Sequence, residues 1–414
     1  MKFEYGCIGE KLKHSFSKEI HNSLADYDYG IIEICRNELS AFATEMPFKA
    51  INVTIPYKEM IIPYLSEIDE MAKEIGSVNT VVNRNGRLYG YKTDFFGMRS
   101  LIEKIGIDLF DKKVIILGTG GTSKTSLAVA RALGAKEILR VSRSAKEGAV
   151  TYEELYEKHT DAEVIINTTP SGMYPNIFDT PVDLSRFTRL IGVVDAVYNP
   201  LRTPLILSAK KRNIPAEGGL YMLVAQAVRA SEIFIDTSYD KKEIDRVFEK
   251  LLSEKESIVL IGMPASGKST VGRLLRKKLG REFIDTDDLI VEAEGKSIPE
   301  IFSLYGEKYF RDAETRAVKK ASEHCGAVIA TGGGAILREE NLDALRENGR
   351  LYFIDRPLKD LIPTSNRPLS SDVESIKKRY SERYEIYKRC ADVIIDATTD
   401  ADGVCDRILE DFLK

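Results

Sequence analysis

The sequence predicts an α/β protein of two halves, each built on a strand that runs through a Gly-rich turn into a helix, and three observations carry that expectation. Apolar strand-like runs alternate with helical patterns along most of the 414 residues, as crossover connections between parallel strands require. Two of these runs, "VIILG" at 114–118 and "IVLIG" at 258–262, pass straight into Gly-rich turns and then into helical patterns. A charged segment of helical period, 240–257, lies between them, and its apolar face closes at Leu251 and Leu252. The domain boundary is placed there, near 254, giving domains 1–254 and 255–414.

The strand-like runs follow in order. They are 3–9, 50–55, 113–118, 137–142, 163–169, 190–197, 257–262, 327–332, 350–355 and 392–396. Each is a short, mostly apolar run. The helical patterns between them imply parallel sheets.

Bulk properties narrow the class. The chain is 43% hydrophobic and 30% charged, as in globular domains with real cores. A net charge of −4 gives no electrostatic reason to expect nucleic acid as a partner. The five cysteines, at 7, 35, 325, 390 and 405, form no C-x-x-C pair, which predicts reduced thiols and a cytoplasmic setting. The four histidines lack metal-ligand spacing. No signal-peptide pattern is read at the start, and no apolar run reaches the roughly 18 residues of a membrane span.

The first loop, "GTGGTSKT", has Gly118, Gly120 and Gly121 at a strand end opening a helix. A helix N-terminus offers free N–H groups and partial positive charge to a phosphate. By itself the turn also suits an ordinary strand–helix connection. The next strand ends in Ser142, Arg143 and Ser144, with Lys146 beyond. An NAD site places a carboxylate near there for the ribose hydroxyl. A cation with hydroxyls suits a 2′-phosphate instead, so NADP is expected. Lys124 falls on the first helical turn and reads as a solvated lysine.

Upstream, "HSFS" offers Ser15 and Ser17, "NVTIPYK" offers Asn52, Thr54 and Lys58, "VNT" offers Asn79 and Thr80, and "KTDFFG" offers Thr93 and Asp94. Singly these are turn formers and surface pairs. In this order, with the Gly-rich loop and the later "GGLYMLVAQA" at 218–227, residues 1–252 resemble shikimate dehydrogenases. The resemblance implies a split substrate domain, about 1–100 plus 228–254, and an NADP-binding Rossmann domain, about 101–227. It implies that Ser15, Ser17 and Tyr198 bind the substrate carboxylate, and that Asn79, Asp94 and Gln226 bind ring hydroxyls beside Thr54. Lys58 and Asp94 would be the catalytic pair, and Gly219 would join the NADP contacts. Two positions depart from the family pattern: Lys18 stands where Pro is usual, and Thr119 where a small apolar residue is commoner.

The second loop, "GMPASGKST", completes the phosphate-loop pattern between a strand and a helix. Gly262, Ala265, Ser266, Gly267, Lys268, Ser269 and Thr270 are the expected ATP contacts, with Lys268 on the β- and γ-phosphates and Ser269 on Mg²⁺. "FIDTDDLI" places Asp285 and Asp287 two apart, hence on one face of a strand. "EKYFRDAE" supplies Arg311 and Glu314, "TGGGA" supplies Gly332, Gly333 and Gly334, and Arg367 and Arg383 follow. In this order residues 256–414 resemble shikimate kinases. That resemblance implies Asp285 on Mg²⁺ through water, Asp287 on the acceptor hydroxyl, and Arg311 and Arg383 on its carboxylate. It also implies Arg367 on a lid, contacting the transferred phosphoryl group. The segment between Asp355 and Arg367 is short for the family.

The chain is thus expected to reduce 3-dehydroshikimate and then phosphorylate shikimate, with small molecules as its partners. Two alternatives stay open here: a quinate- or NAD-using dehydrogenase, and a second half that binds nucleotide without turnover.

Overall fold

The computed structural model describes residues 4–10, 12, 16–45, 47–144, 148–361 and 373–413. Ser15, Lys146 and Arg367 lie outside the described residues. The chain divides into two compact units, Met1–Leu251 and Leu252–Lys414, within the helix Lys242–Lys255.

The first unit holds two sheets. The first contains β1 (Tyr5–Gly9), β2 (Tyr29–Glu33), β3 (Ala50–Val53), β4 (Glu67–Ile68), β5 (Thr80–Arg84) and β6 (Arg87–Tyr91), in the order β2-β1-β3-β5-β6-β4. It is mixed, not parallel as expected: β5 runs antiparallel to both β3 and β6. The cause is a tight hairpin, "TVVNRNGRLYGY", whose corner residues Asn85 and Gly86 take φ of +53° and +80°. Consecutive positive φ values give the turn that matches strand twist, and Asn-Gly supplies them at least strain.

The second sheet contains β7 (Lys113–Leu117), β8 (Glu137–Ser142), β9 (Val150–Thr151), β10 (Val164–Asn167), β11 (Gly192–Asp195) and β12 (Ala216–Glu217). Its order, β12-β11-β10-β7-β8-β9, is wholly parallel and reverses direction between β7 and β10. That reversal opens a crevice at the strands' carboxyl ends, where such sheets bind ligands. Val114, Ile115, Ile116 and Leu117 are fully buried, which is why the run is apolar without alternation. Each contributes roughly 1.5–3 kcal/mol by leaving water.

The helices Thr93–Lys104 and Leu220–Ile235 pack closely because of Gly97. A Cβ there would lie 2.6 Å from the Met222 carbonyl. This contact carries Asp94 and Gln226 to the same place from positions 132 residues apart in the chain.

The second unit has one parallel sheet of β13 (Ser257–Ile261), β14 (Phe283–Asp285), β15 (Val328–Ala330), β16 (Gly349–Asp355) and β17 (Val393–Asp396). Its order is β14-β15-β13-β16-β17. The central strand β13 is buried along its whole length. Its Gly-rich turn emerges with β15 on one side and β16 on the other. Among the described residues no helix is long and apolar enough to cross a membrane. Among the described residues no disulfide links the five cysteines.

Candidate functional sites

In the first unit, Lys58 lies on the short helix Tyr57–Met60, just after β3. Asp94 lies in the first turn of Thr93–Lys104, just after β6. Lys58 Nζ donates to Asp94 Oδ2 at 2.6 Å. Asn79 Nδ2 donates to Asp94 Oδ1 at 3.1 Å, to Thr93 Oγ1 at 2.9 Å and to Gln226 Oε1 at 3.2 Å. Gln226 is held from behind, its Nε2 donating to the Leu223 carbonyl at 3.0 Å. Lys58, Asn79, Asp94 and Gln226 therefore form one network from four separate segments.

A residue that the motif reading passed over completes it. Lys92 Nζ, with no exposed side-chain surface, donates to the same Asp94 Oδ2 at 3.0 Å. Burial alone would raise Asp94, but the two ammonium groups hold its carboxyl well below the usual carboxylate range. Burial pushes Lys92 down to about 8, against the pull of Asp94. No sequence signal marks Lys92, because one lysine beside a strand end reads as solvated.

Thr54 follows β3, its N–H donating to the Ile8 carbonyl at 3.0 Å. Ser17 is the buried first residue of the helix Ser17–Leu24. The Phe16 ring, next to it, lies 5.4 Å from the Tyr198 ring. Burial, then the nearby Cys7 and Glu19, push the Tyr198 hydroxyl up to about 12, so it stays protonated as a donor.

At the crevice of the second sheet, Gly118 has φ of +107°, and its carbonyl accepts from Ser123 Oγ at 2.7 Å. Gly120 caps the helix Gly121–Ala132, and a Cβ on either Gly120 or Gly121 would meet nothing within 4 Å. The glycines thus leave a backbone-lined hollow at a helix N-terminus, a shape that fits a pyrophosphate. Ser142 ends β8, while Arg143 and Ser144 are exposed just beyond it. Gly219 begins the turn into Leu220–Ile235, where a Cβ would collide with the Ala196 carbonyl. Lys124 is not simply solvated: its Nζ meets Glu59 Oε1 at 2.6 Å. This half-exposed pair ties the first helix of the nucleotide hollow to the helix that carries Lys58.

In the second unit the turn after β13 is tightly coiled. Gly262, Ala265 and Gly267 take φ of +152°, +67° and +96°. Lys268 folds back, its Nζ donating to the Gly262 and Met263 carbonyls at 2.9 Å each. Ser266 Oγ is buried without a hydrogen-bond partner. Turned-in amides, a lysine and an unpaired hydroxyl suit an anionic phosphate chain. Ser269 Oγ donates to Asp285 Oδ2 at 2.7 Å. That hydroxyl and carboxylate converge as the hard oxygen ligands Mg²⁺ prefers. Thr270 follows on the same helix, Lys268–Leu279.

The placement of Asp287 corrects the sequence reading. β14 stops at Asp285, which caps the helix Thr286–Glu294 by accepting from the Asp287 N–H at 3.0 Å. The two aspartates do not share a strand face. Asp285 faces Ser269, and Asp287 sits in a helical first turn beside Glu314 and Gly332.

The three glycines after β15 are in close contact with the charged groups. A Cβ on Gly332 would lie 2.7 Å from Glu314 Oε1 and 2.9 Å from Asp287 Oδ1, and one on Gly334 would overlap the Arg311 guanidinium. Arg311 Nη1 pairs with Glu314 Oε2 at 2.7 Å, and Nη2 with Glu307 Oε1 at 3.0 Å. Arg383 Nη1 and Tyr387 Oη both donate to the Gly333 carbonyl, at 2.9 and 2.5 Å. Glu314, which the sequence reading names beside Arg311, and Tyr387, which it does not name, order this floor. Beside the phosphate loop, Arg356 Nε donates to the Ser266 carbonyl at 3.2 Å.

The geometry defines an oxidoreductase unit of the doubly wound type, followed by a P-loop phosphotransferase unit. The family model for the shikimate dehydrogenase substrate binding domain matches residues 7–81, and that for shikimate kinase matches residues 264–413. The chain is 37% identical over 255 residues to the shikimate dehydrogenase (NADP(+)) of Clostridium beijerinckii, covering 58% of this chain and 94% of that one. Among solved structures, shikimate dehydrogenase 1 from Peptoclostridium difficile matches with a TM-score of 0.56 and 36% identity, over 61% of this chain and 98% of that one. A chorismate mutase/shikimate 5-dehydrogenase fusion protein from Clostridium acetobutylicum matches with a TM-score of 0.57 and 33% identity, over 61% and 97%. The chain belongs to the shikimate dehydrogenase family, and its second unit carries a shikimate kinase domain.

Proposed function

We propose that the protein catalyses two successive steps on one ring. The first unit reduces 3-dehydroshikimate to shikimate, and the second phosphorylates the shikimate 3-hydroxyl. The observation that carries this reading is the pair of separate sites: a Lys58–Asp94–Asn79–Gln226 network in one unit, and a phosphate loop facing Asp287, Arg311 and Arg383 in the other.

NADPH would supply the hydride, bound over Gly118, Gly120 and Gly121 with its 2′-phosphate toward Ser142, Arg143 and Ser144, and Gly219 nearby. Lys58 holds a proton at Nζ for the oxygen on which charge develops, with Asp94 fixing its direction. Asn79, Asp94 and Gln226 orient ring hydroxyls, beside Thr54. Ser15, Ser17 and Tyr198 take the carboxylate. In the second unit Mg-ATP would supply the phosphoryl group, with the metal near Ser269 and Asp285. Gly262, Ala265, Ser266, Gly267, Lys268 and Thr270 cradle the phosphate chain. Asp287 orients the acceptor hydroxyl, Arg311 and Arg383 neutralise the carboxylate, and Gly332, Gly333 and Gly334 admit the ring. Arg367 adds charge at the transferred group.

The protein is read as cytoplasmic. The test is a coupled assay with 3-dehydroshikimate, NADPH and Mg-ATP. Shikimate 3-phosphate is the expected product. No NADPH oxidation would sink the reductase assignment, and no shikimate-dependent ADP formation would sink the kinase assignment.

A further inference from the structure

We propose that Lys92 is a positioning residue of the reductase site, whose ammonium keeps Asp94 compensated while Lys58 gives up its proton. This rests on the reductase reading of the first unit. Lys58 and Lys92 donate to one oxygen of Asp94, Oδ2, at 2.6 and 3.0 Å, while Oδ1 accepts from Asn79. Lys92 is the more enclosed of the two lysines: its side chain is fully buried, whereas that of Lys58 keeps 18% of its surface.

The charge balance explains why a second ammonium belongs there. When hydride reaches the carbonyl carbon, the oxygen takes up a proton, the Lys58 N–H bond breaks, and Lys58 is left as a neutral amine. With Lys58 alone, the buried Asp94 carboxylate would then stand unpaired, and an uncompensated buried charge is strongly unfavourable. With Lys92 in place the carboxylate stays ion-paired before and after the transfer. The Lys58–Lys92–Asp94 cluster by itself also carries one net positive charge, whereas an isolated Lys–Asp pair carries none. That favours the developing oxyanion.

The charged and titratable groups around Lys92 are few. Lys58 and Glu59 face it from the helix Tyr57–Met60, and Asp94 from its own helix. The Asp69 carboxylate accepts from the Lys92 backbone N–H. Cys7 on β1, near Lys58, is pushed up to about 12 by burial and stays neutral. Asn79, Thr93 and Gln226 are uncharged. Burial pushes the Lys92 ammonium down to about 8, against the pull of Asp94.

The experiment compares wild type with Lys92→Gln and Lys92→Arg across pH 6–10, reading kcat and KM for 3-dehydroshikimate and thermal melting of each variant. Lys92→Gln should lower kcat at least about tenfold at pH 7 with little change in KM. The gap should close above about pH 9, where wild type has lost the same charge. Lys92→Arg keeps the charge and should retain most of kcat without that convergence. A wild-type to Lys92→Gln ratio near one at pH 7, or a Lys92→Arg variant as slow as Lys92→Gln, overturns the proposal. If neither variant melts cooperatively, the ¹⁵N signal of Lys92 Nζ in the wild-type shikimate complex decides. A protonated amine at pH 7 supports the proposal and a neutral one overturns it. Absence of NADPH-dependent reduction by wild type would instead refute the reductase reading itself.

Discussion

The two Gly-rich loops look alike in sequence and use their glycines differently. In the loop after β7 only Gly118 needs its φ of +107°, whereas Gly120 and Gly121 border open space. In the loop after β13, Gly262, Ala265 and Gly267 all hold positive φ, and Lys268 bonds back onto the loop. The first loop makes room for a ligand, and the second bends its own amides inward. The same contrast separates the two lysines proposed as catalytic. Lys58 is partly buried and donates to a carboxylate. Lys268 rests on two carbonyls that it can leave for phosphate.

The largest effects should therefore be mutually exclusive. Lys58→Ala is expected to cut reduction by about 10²–10⁴-fold and leave phosphorylation within twofold. Lys268→Ala should cut phosphorylation by about 10²–10³-fold and spare reduction. Steady-state assays of both steps on each variant check this, and a joint loss would break the comparison.

Within the first loop the effects should split by glycine. Gly118→Ala should cost roughly 1–2 kcal/mol of stability from its left-handed backbone, and more from contact with Thr168. Gly121→Ala should leave the melting temperature almost unchanged and raise KM for NADPH about tenfold, because the added methyl enters the ligand hollow. Melting curves beside NADPH titrations separate the two, and equal melting losses would contradict the open hollow.

The smallest effect contrasts buried carboxylates. Asp94 is compensated by two lysines, whereas Glu347 Oε2 in the second unit is buried without a hydrogen-bond partner. Burial, then the neighbouring Asp343, push Glu347 from 4.5 up to about 9, against the pull of Lys319. The folded state keeps its proton where the unfolded state has lost it. Its contribution to stability is therefore full below about pH 4.5 and is lost as pH rises toward 9. Glu347→Gln should flatten that slope and raise the melting temperature at pH 8 above that of wild type. An unchanged pH slope would show that Glu347 is compensated after all.

Much of this was legible in the chain. The alternation of apolar runs and helical patterns locates the parallel strands β7, β10, β11, β13 and β16, because strands buried on both faces must be apolar throughout. The hairpin β5–β6 does not follow from the crossover pattern, although Asn85–Gly86 marks its two-residue turn. Asp287 was misplaced because spacing alone does not reveal where β14 gives way to a helix. Lys92 carried no signal at all, because a buried lysine and a solvated one are the same letter.

The sequence by itself determined the order of motifs, the two phosphate-binding turns and the types of charged residue available to each site. Those depend on local backbone preference and on side-chain chemistry, which are written residue by residue. Only the tertiary structure decided which groups meet. Gly97 lets two helices touch, and so joins Asp94 to Gln226 across the first unit. Burial turned Lys92 from a surface charge into a partner of the Asp94 carboxylate, because desolvation is a property of the packed surroundings and not of the residue.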